Sequence, residues 1–205
     1  MRSFHRRVLI AATLSLGLGL GLSACAQSNG AVTSEDMSMG DPKAPVTVIE
    51  YASVSCSHCA VWNKEVWPAF KTKYVDTGQV NYVFREFITA PPQLAAAGFL
   101  LARCAGRDKY FGVIDQVFHA QEEIFRTGDI RTPLVAIAAQ AGLNEQQFTQ
   151  CVSDEAALNA LNNRVQKYIN QDKITGTPTF VINGRKHEGD TSLAGLDAAI
   201  AAAKK

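Results

Sequence analysis

Residues 50–62 read EYASVSCSHCAVW, and the passage from strand to paired thiols to helix in that stretch decides the fold. Upstream, APVTVIEY (44–51) is a short apolar, β-branched run bounded by Pro45, the pattern of a strand buried on both faces. Downstream, from Ser57 to about Tyr74, the residues Trp67, Phe70 and Tyr74 recur at intervals of three and four, which predicts a helix. Pro68 lies inside it and should kink it. Cys56 therefore stands where a strand gives way to a helix, with Cys59 one turn in. Two cysteines at this spacing can hold half a zinc site, form a redox-active disulfide, or lie buried as inert thiols. Their surroundings must choose.

Working outward, QVNYVFREF (79–87) is a second strand after the break at Thr77-Gly78, with Val80, Tyr82 and Phe84 on one face. The middle of the chain is helical. Ala97, Leu101 and Cys104 fall at i, i+4 and i+7. Thr132-Pro133 supplies a cap and a first-turn proline for a helix carrying Leu134, Ile137, Ala138 and Ala141, which Gly142 closes. Asn144 to Gln147 is a second cap, ahead of Phe148, Cys151 and Val152. Ser153 begins a longer helix with Leu158, Leu161, Val165 and Ile169. TPTFVI (177–182) then reads as a strand, Asn183-Gly184 as a type I′ turn and RKHE (185–188) as the return strand. Ser192 caps a last helix, with Leu193, Leu196 and Ile200 inward. The order is β-α-β, a block of helices, then α-β-β-α. The first unit requires parallel strands and a right-handed crossover, and the hairpin adds an antiparallel pair. The helical block is too long for a loop and reads as a domain inserted into an α/β fold.

The 205 residues are 47% hydrophobic with a formal net charge of +1, enough apolar material for one full-sized core. Without a basic run beyond the N-terminus, nothing points to nucleic acid binding. Residues 1–26 read as an export signal. Arg2, Arg6 and Arg7 precede the apolar VLIAATLSLGLGLGLSA (8–24), and the stretch ends at LSAC (22–25). Leu22-Ser23-Ala24-Cys25 resembles the bacterial lipobox, which would make Cys25 the lipidated first residue and tether the protein to a membrane. Ala24-Cys25-Ala26 also fits ordinary cleavage after Ala26, giving a soluble product, while the glycines argue against an uncleaved anchor. Each reading sends the protein out of the cytoplasm, to the periplasm. There, closely spaced cysteines are more often redox chemistry than zinc. Residues 27–41 are small and polar and read as a flexible tether.

EYASVSCSHCAVW, the distal TGTPTFVING (175–184) and the helices between them together resemble the DsbA-like branch of the thioredoxin superfamily. These are bacterial extracytoplasmic thiol–disulfide oxidoreductases, and the resemblance covers essentially all of the chain after about residue 41. It implies a thioredoxin fold with an inserted α-helical domain: 42–91 as its first part, 92–153 as the insertion, 154–205 as its second part. Ser57-His58 departs from the Pro-His of the best-known members and leaves the reduction potential open. The resemblance further implies that Pro178 is cis and faces the active-site disulfide, with Thr177 supplying backbone contacts to an extended substrate and side-chain tuning. It puts a buried acid at Glu50 and a second, non-catalytic disulfide at Cys104–Cys151, with two free core thiols as the plain alternative. It implies reduced exported polypeptides as substrates and recycling by a membrane oxidase of the DsbB type. No nucleotide or metal cofactor is required.

The residues supply the chemistry. At a helix N-terminus, unsatisfied N–H groups and the positive dipole end favour a Cys56 thiolate. His58 can add a positive charge or a hydrogen bond, unless it is simply a solvated histidine. A stabilised thiolate means a stabilised reduced form and an oxidising disulfide. Cys56–Cys59 would then be donated to a substrate, with Cys59 the more buried, resolving partner. Glu50 on a buried strand should have a raised pKa and could take or give the proton of Cys59; an acid at the strand's exposed end is the plainer reading. Within the same fold, a reductase or isomerase is the rival. Those often dimerise through an extra N-terminal domain, for which the segment 27–40 leaves no room, so a monomer is expected. From another class, the rival is a copper-handling lipoprotein using thiolates for Cu(I).

Overall fold

The computed structural model describes residues 31–204. The export signal over 1–26, Cys25 with its lipidation, and the first residues of the expected tether lie outside the described residues. The strands are β1 (Met37–Met39), β2 (Val46–Ala52), β3 (Val80–Glu86), β4 (Thr179–Ile182) and β5 (Arg185–His187), in the sheet order β1-β3-β2-β4-β5. Only β2 and β3 run parallel among the described strands; β1, β4 and β5 pair antiparallel to their neighbours.

The two faces of the sheet follow the period of two along each strand. Ile49, Tyr51, Val83 and Val181 face one way, against Tyr168 and Ile174. Val48, Ala52, Tyr82, Phe84 and Phe180 face the other, into the large core shared with the helices. Glu50 falls between Val48 and Ala52 and so points into that core. The hairpin turn has Asn183 at φ 45° and Gly184 at φ 77°, both positive as a type I′ turn demands.

The helices are α1 (Ser57–Glu65), α2 (Trp67–Phe70), α3 (Pro92–Cys104), α4 (Arg107–Thr127), α5 (Arg131–Gln140), α6 (Glu145–Ser153), α7 (Glu155–Asp172) and α8 (Leu193–Ala203). α3 to α6 lie in sequence between β3 and α7. α4 turns Tyr110, Val113, Ile114, Val117, Phe118, Gln121 and Ile124 inward at helical spacing. Cys104 at the end of α3 is bonded to Cys151 on α6, with Cα atoms 5.9 Å apart. Gly98 lets α3 press on the turn before Cys56, since a Cβ there would lie 2.8 Å from Val54 Cγ2.

Three expectations need correction. The tether does not stay free over 31–41: Met37–Met39 pairs with β3 in the register Met37↔Phe84, and Asp36 is buried. Arg85 on β3 is fully buried and needs counter-charges, which Asp36 Oδ1 and Asp172 Oδ2 supply, each at 3.0 Å. The helix over 57–74 kinks where Pro68 was expected to kink it: Val66, between α1 and α2, stays in the helical region, and the Val66 N–H donates to Trp62 O and the Phe70 N–H to Val66 O on either side of the proline. α1 ends at Glu65, Pro68 sits in the first turn of α2, and Lys71–Val75 closes as a π-helical turn. Proline has no N–H to continue the α1 ladder. Thr132 does not cap α5, because Asp129 Oδ1 accepts the Thr132 N–H at 3.1 Å. Ser153 ends α6, and Asp154 caps α7 by accepting the Ala157 N–H at 2.9 Å.

Candidate active site

β2 ends at Ala52, and a short turn carries the chain into α1. The Cys56 N–H donates to Ser53 O at 3.0 Å, and the Ala60 N–H donates to Cys56 O at 3.1 Å as the first bond of the helix. Cys56 is thus the N-cap, with φ −91° and ψ 118°. Its sulfur takes the place that a serine or aspartate oxygen holds in other caps, accepting the Cys59 N–H at 3.3 Å. The Cys56 thiol lies 3.5 Å from the Thr177 carbonyl oxygen and can donate to it. The Thr177–Pro178 peptide is cis. Cys56 is half-buried, Cys59 is wholly buried, and both thiols are free.

The two sulfurs are driven apart electrostatically. The Cys59 thiol, hydrogen-bonded to Cys56, does most to hold Cys56 down at about 6; partial burial opposes it, and the Thr177 side chain and the N–H groups of Cys59 and His58 assist. Burial pushes Cys59 far above the usual thiol range, and its bond to Cys56 and the charges of Cys56 and Glu50 push it further. Glu50 is 1% exposed, which excludes the exposed strand end. Burial pushes its carboxyl up to about 8, against the hydrogen bond it accepts from Tyr82 and with the charge of Cys56 adding to the rise.

Beside Cys56 lies a groove of about 420 Å³ whose lining includes His58, Val61, Trp62, Thr177 and Pro178. Val61 is 50% exposed there, and Trp62 Nε1 donates to Thr191 O at 2.9 Å, anchoring α1 to the segment before α8. The His58 ring is exposed, and the help His58 gives to Cys56 comes through its backbone N–H. The fold thus gathers Cys56, Cys59, His58, Glu50, Thr177 and Pro178 at the junction of β2, α1 and β4, and leaves Cys104–Cys151 among the helices. Among the described residues, no group of three or more His, Cys, Asp or Glu could hold a metal ion.

Two neighbours escaped the sequence reading. Tyr82, placed on a buried strand face, proves to be the hydrogen-bond donor to Glu50. Gln121 reaches from α4 to the turn itself, with Nε2 2.8 Å from Val54 O and 3.2 Å from Cys56 O. Its signal was there to be seen: a polar residue in the apolar stripe of a long helix.

A family model described as thioredoxin matches residues 32–202. The chain is 32% identical to a Rickettsia felis protein named as a candidate protein-disulfide oxidoreductase, over 82% of this chain and 60% of that one. A Rickettsia typhi protein named likewise is 32% identical over 77% of this chain and 58% of that one. The chain therefore spans about three fifths of the length of these curated relatives. The crystal structure of Wolbachia pipientis alpha-DsbA1 superposes with a TM-score of 0.78 at 31% identity, over 87% of this chain and 95% of that one. BdbD of Bacillus subtilis, at 19% identity and a TM-score of 0.71 over 82% of this chain and 92% of that one, shares the fold.

Proposed function

The chain belongs to the DsbA-like branch of the thioredoxin superfamily, and from that membership we propose that it donates the Cys56–Cys59 disulfide to reduced exported polypeptides. The observation that carries this reading is the placement of the two sulfurs: Cys56 half-buried at the N-cap of α1, accepting the Cys59 N–H and facing the cis Thr177–Pro178 peptide, with Cys59 wholly buried behind it. A substrate thiolate attacks Cys56 Sγ. The Cys56–Cys59 bond breaks, and its electron pair goes to Cys59. Cys59 takes a proton, for which the neutral Glu50 carboxyl is the donor. The substrate is now joined to Cys56, and its second thiolate attacks its own bonded sulfur. Cys56 departs as a thiolate, and low-pKa thiolates leave quickly. Two electrons pass to the protein. One substrate proton ends on Cys59 by way of Glu50, and the other goes to solvent.

In this reading Thr177 and Pro178 border the groove beside Cys56, and Thr177 offers an extended substrate its backbone. His58 lies on the rim, where its ring meets the incoming chain. Cys104–Cys151 plays no part in the exchange and ties the inserted helices, 92–153, together. A membrane oxidase of the DsbB type restores the disulfide. Residues 1–26 support export to the periplasm, with lipidation at Cys25; a mature protein beginning with unmodified Gln27 would dismiss the lipid. Among the described residues no helix is long and apolar enough to cross a membrane.

The test is a trap. Offered a substrate with a single cysteine held as a mixed disulfide with glutathione, Cys59→Ala should accumulate a covalent complex through Cys56, because neither Cys59 nor a second substrate thiol is there to resolve it. Cys56→Ala should accumulate none. A complex that forms equally through Cys59 would end the assignment.

A further inference from the structure

One side chain of the inserted helices grips the active-site turn. Gln121, on α4, is 4% exposed, and both of its Nε2 hydrogens are engaged by carbonyl oxygens two residues apart, Val54 O and Cys56 O. Cys56 O already accepts the Ala60 N–H, so the amide fills its second lone pair. Val54 is wholly buried, and α3 closes over it at Gly98. Fixing these two oxygens fixes the tilt of the Val54–Ser55 and Cys56–Ser57 peptide groups, and with them the turn that carries Cys56 into α1. That tilt decides whether the N–H groups at the start of α1 point at the sulfur, as the Cys59 N–H does at 3.3 Å. Carbonyl oxygens are also the negative ends of dipoles, and two N–H donors facing them reduce the negative potential beside a thiolate.

We propose that Gln121 is a positioning residue of the redox centre. By holding the carbonyl groups of Val54 and Cys56 it lets the inserted helices set how readily Cys56 ionises and how strongly the Cys56–Cys59 disulfide oxidises its partners. The proposal rests on the reading of Cys56 as the exchanging sulfur.

Gln121→Met keeps length and bulk but donates nothing. Gln121→Glu keeps the shape and at most one donor, and serves if the methionine variant does not fold. The readouts are thiolate absorbance against pH in the reduced protein and the equilibrium constant with glutathione. In Gln121→Met the Cys56 midpoint should rise by about half a unit to one unit, equivalent to a three- to tenfold loss of thiolate below the midpoint. The equilibrium constant should move by a similar factor toward the protein disulfide, and Gln121→Glu should move both readouts the same way. A folded variant with parental midpoint and equilibrium constant, and lowered thermal stability alone, overturns the proposal, because Gln121 would then only brace the scaffold. A parent whose Cys56 ionises like free cysteine overturns the exchange reading itself, and this inference with it.

Discussion

Reducing the Cys56–Cys59 disulfide should stabilise the protein, and do so more at pH 8 than at pH 5. The unfolded thiol ionises near 9.0 and the folded one at about 6. Three units correspond to about 4 kcal/mol at full value. Cys56 is half-exposed, and screening by solvent brings this to about 2 kcal/mol. A depressed folded pKa gives a contribution that is present above the unfolded value and lost as pH falls through about 6. Glu50 acts in the opposite sense: with its carboxyl raised from 4.5 to about 8, stability falls as pH climbs through that range. Both redox forms carry Glu50, so its effect largely cancels in their difference. Cys59, pushed up by burial, would count against the reduced form only as the unfolded thiol begins to ionise near 9.0. The assay is urea unfolding of the oxidised and reduced forms at pH 5 and pH 8, with Cys104–Cys151 kept bonded and checked by thiol counting. The stability difference, reduced over oxidised, should grow by about 1 kcal/mol between those pH values, because pH 8 lies below the unfolded value and only part of the full contribution is present there. A difference that stays flat or shrinks refutes the reasoning, because no thiolate would then be held by the fold.

Three further outcomes follow from the same geometry. Thr177→Val takes away the side-chain hydroxyl that helps hold Cys56 down and should raise its ionisation midpoint by about half a unit to one unit in an absorbance titration; an unmoved midpoint leaves Thr177 with its backbone alone. Glu50→Gln abolishes a titration whose displacement from 4.5 to about 8 sets a ceiling of about 5 kcal/mol. The parent's loss of stability between pH 5 and pH 8 should flatten in the variant, and disulfide exchange should slow; an equally steep loss would mean another group titrates there. Asp36→Ala strips one counter-charge from buried Arg85 and should lower stability by about 3 kcal/mol. Proteolysis should then cut within 31–41, and continued resistance there would show that β1 holds without the ion pair.

The strand-to-helix junction at Cys56 was legible because local signals agreed. An apolar run, a pair of thiols and a helical period met at one point; that Glu50 is buried was implied by the resemblance, while the residues alone left an exposed strand end open. β1 was not legible. Three residues are too few for a period, and what docks them is Arg85, 49 positions from Asp36 in sequence. The Asn144–Gln147 capping box and the Ser192 cap were read to the residue; the start of α5 was not, because Asp129 and Thr132 both offer a capping oxygen, and only the folded turn shows that Asp129 Oδ1 reaches the Thr132 N–H. Gln121 was hidden for another reason. Its place in the apolar stripe could be read, but its partners are backbone carbonyl groups, which carry no sequence signature.

The central claim is that the sulfur of Cys56 leaves easily, so that electrons flow into this protein from its substrates. Equilibration with glutathione, with Cys56 and Cys59 quantified by alkylation, gives the reduction potential directly. The potential should lie well above the about −270 mV of thioredoxin, toward the about −120 mV of a strongly oxidising DsbA. A value at or below about −270 mV would contradict that claim and make the protein a reductant.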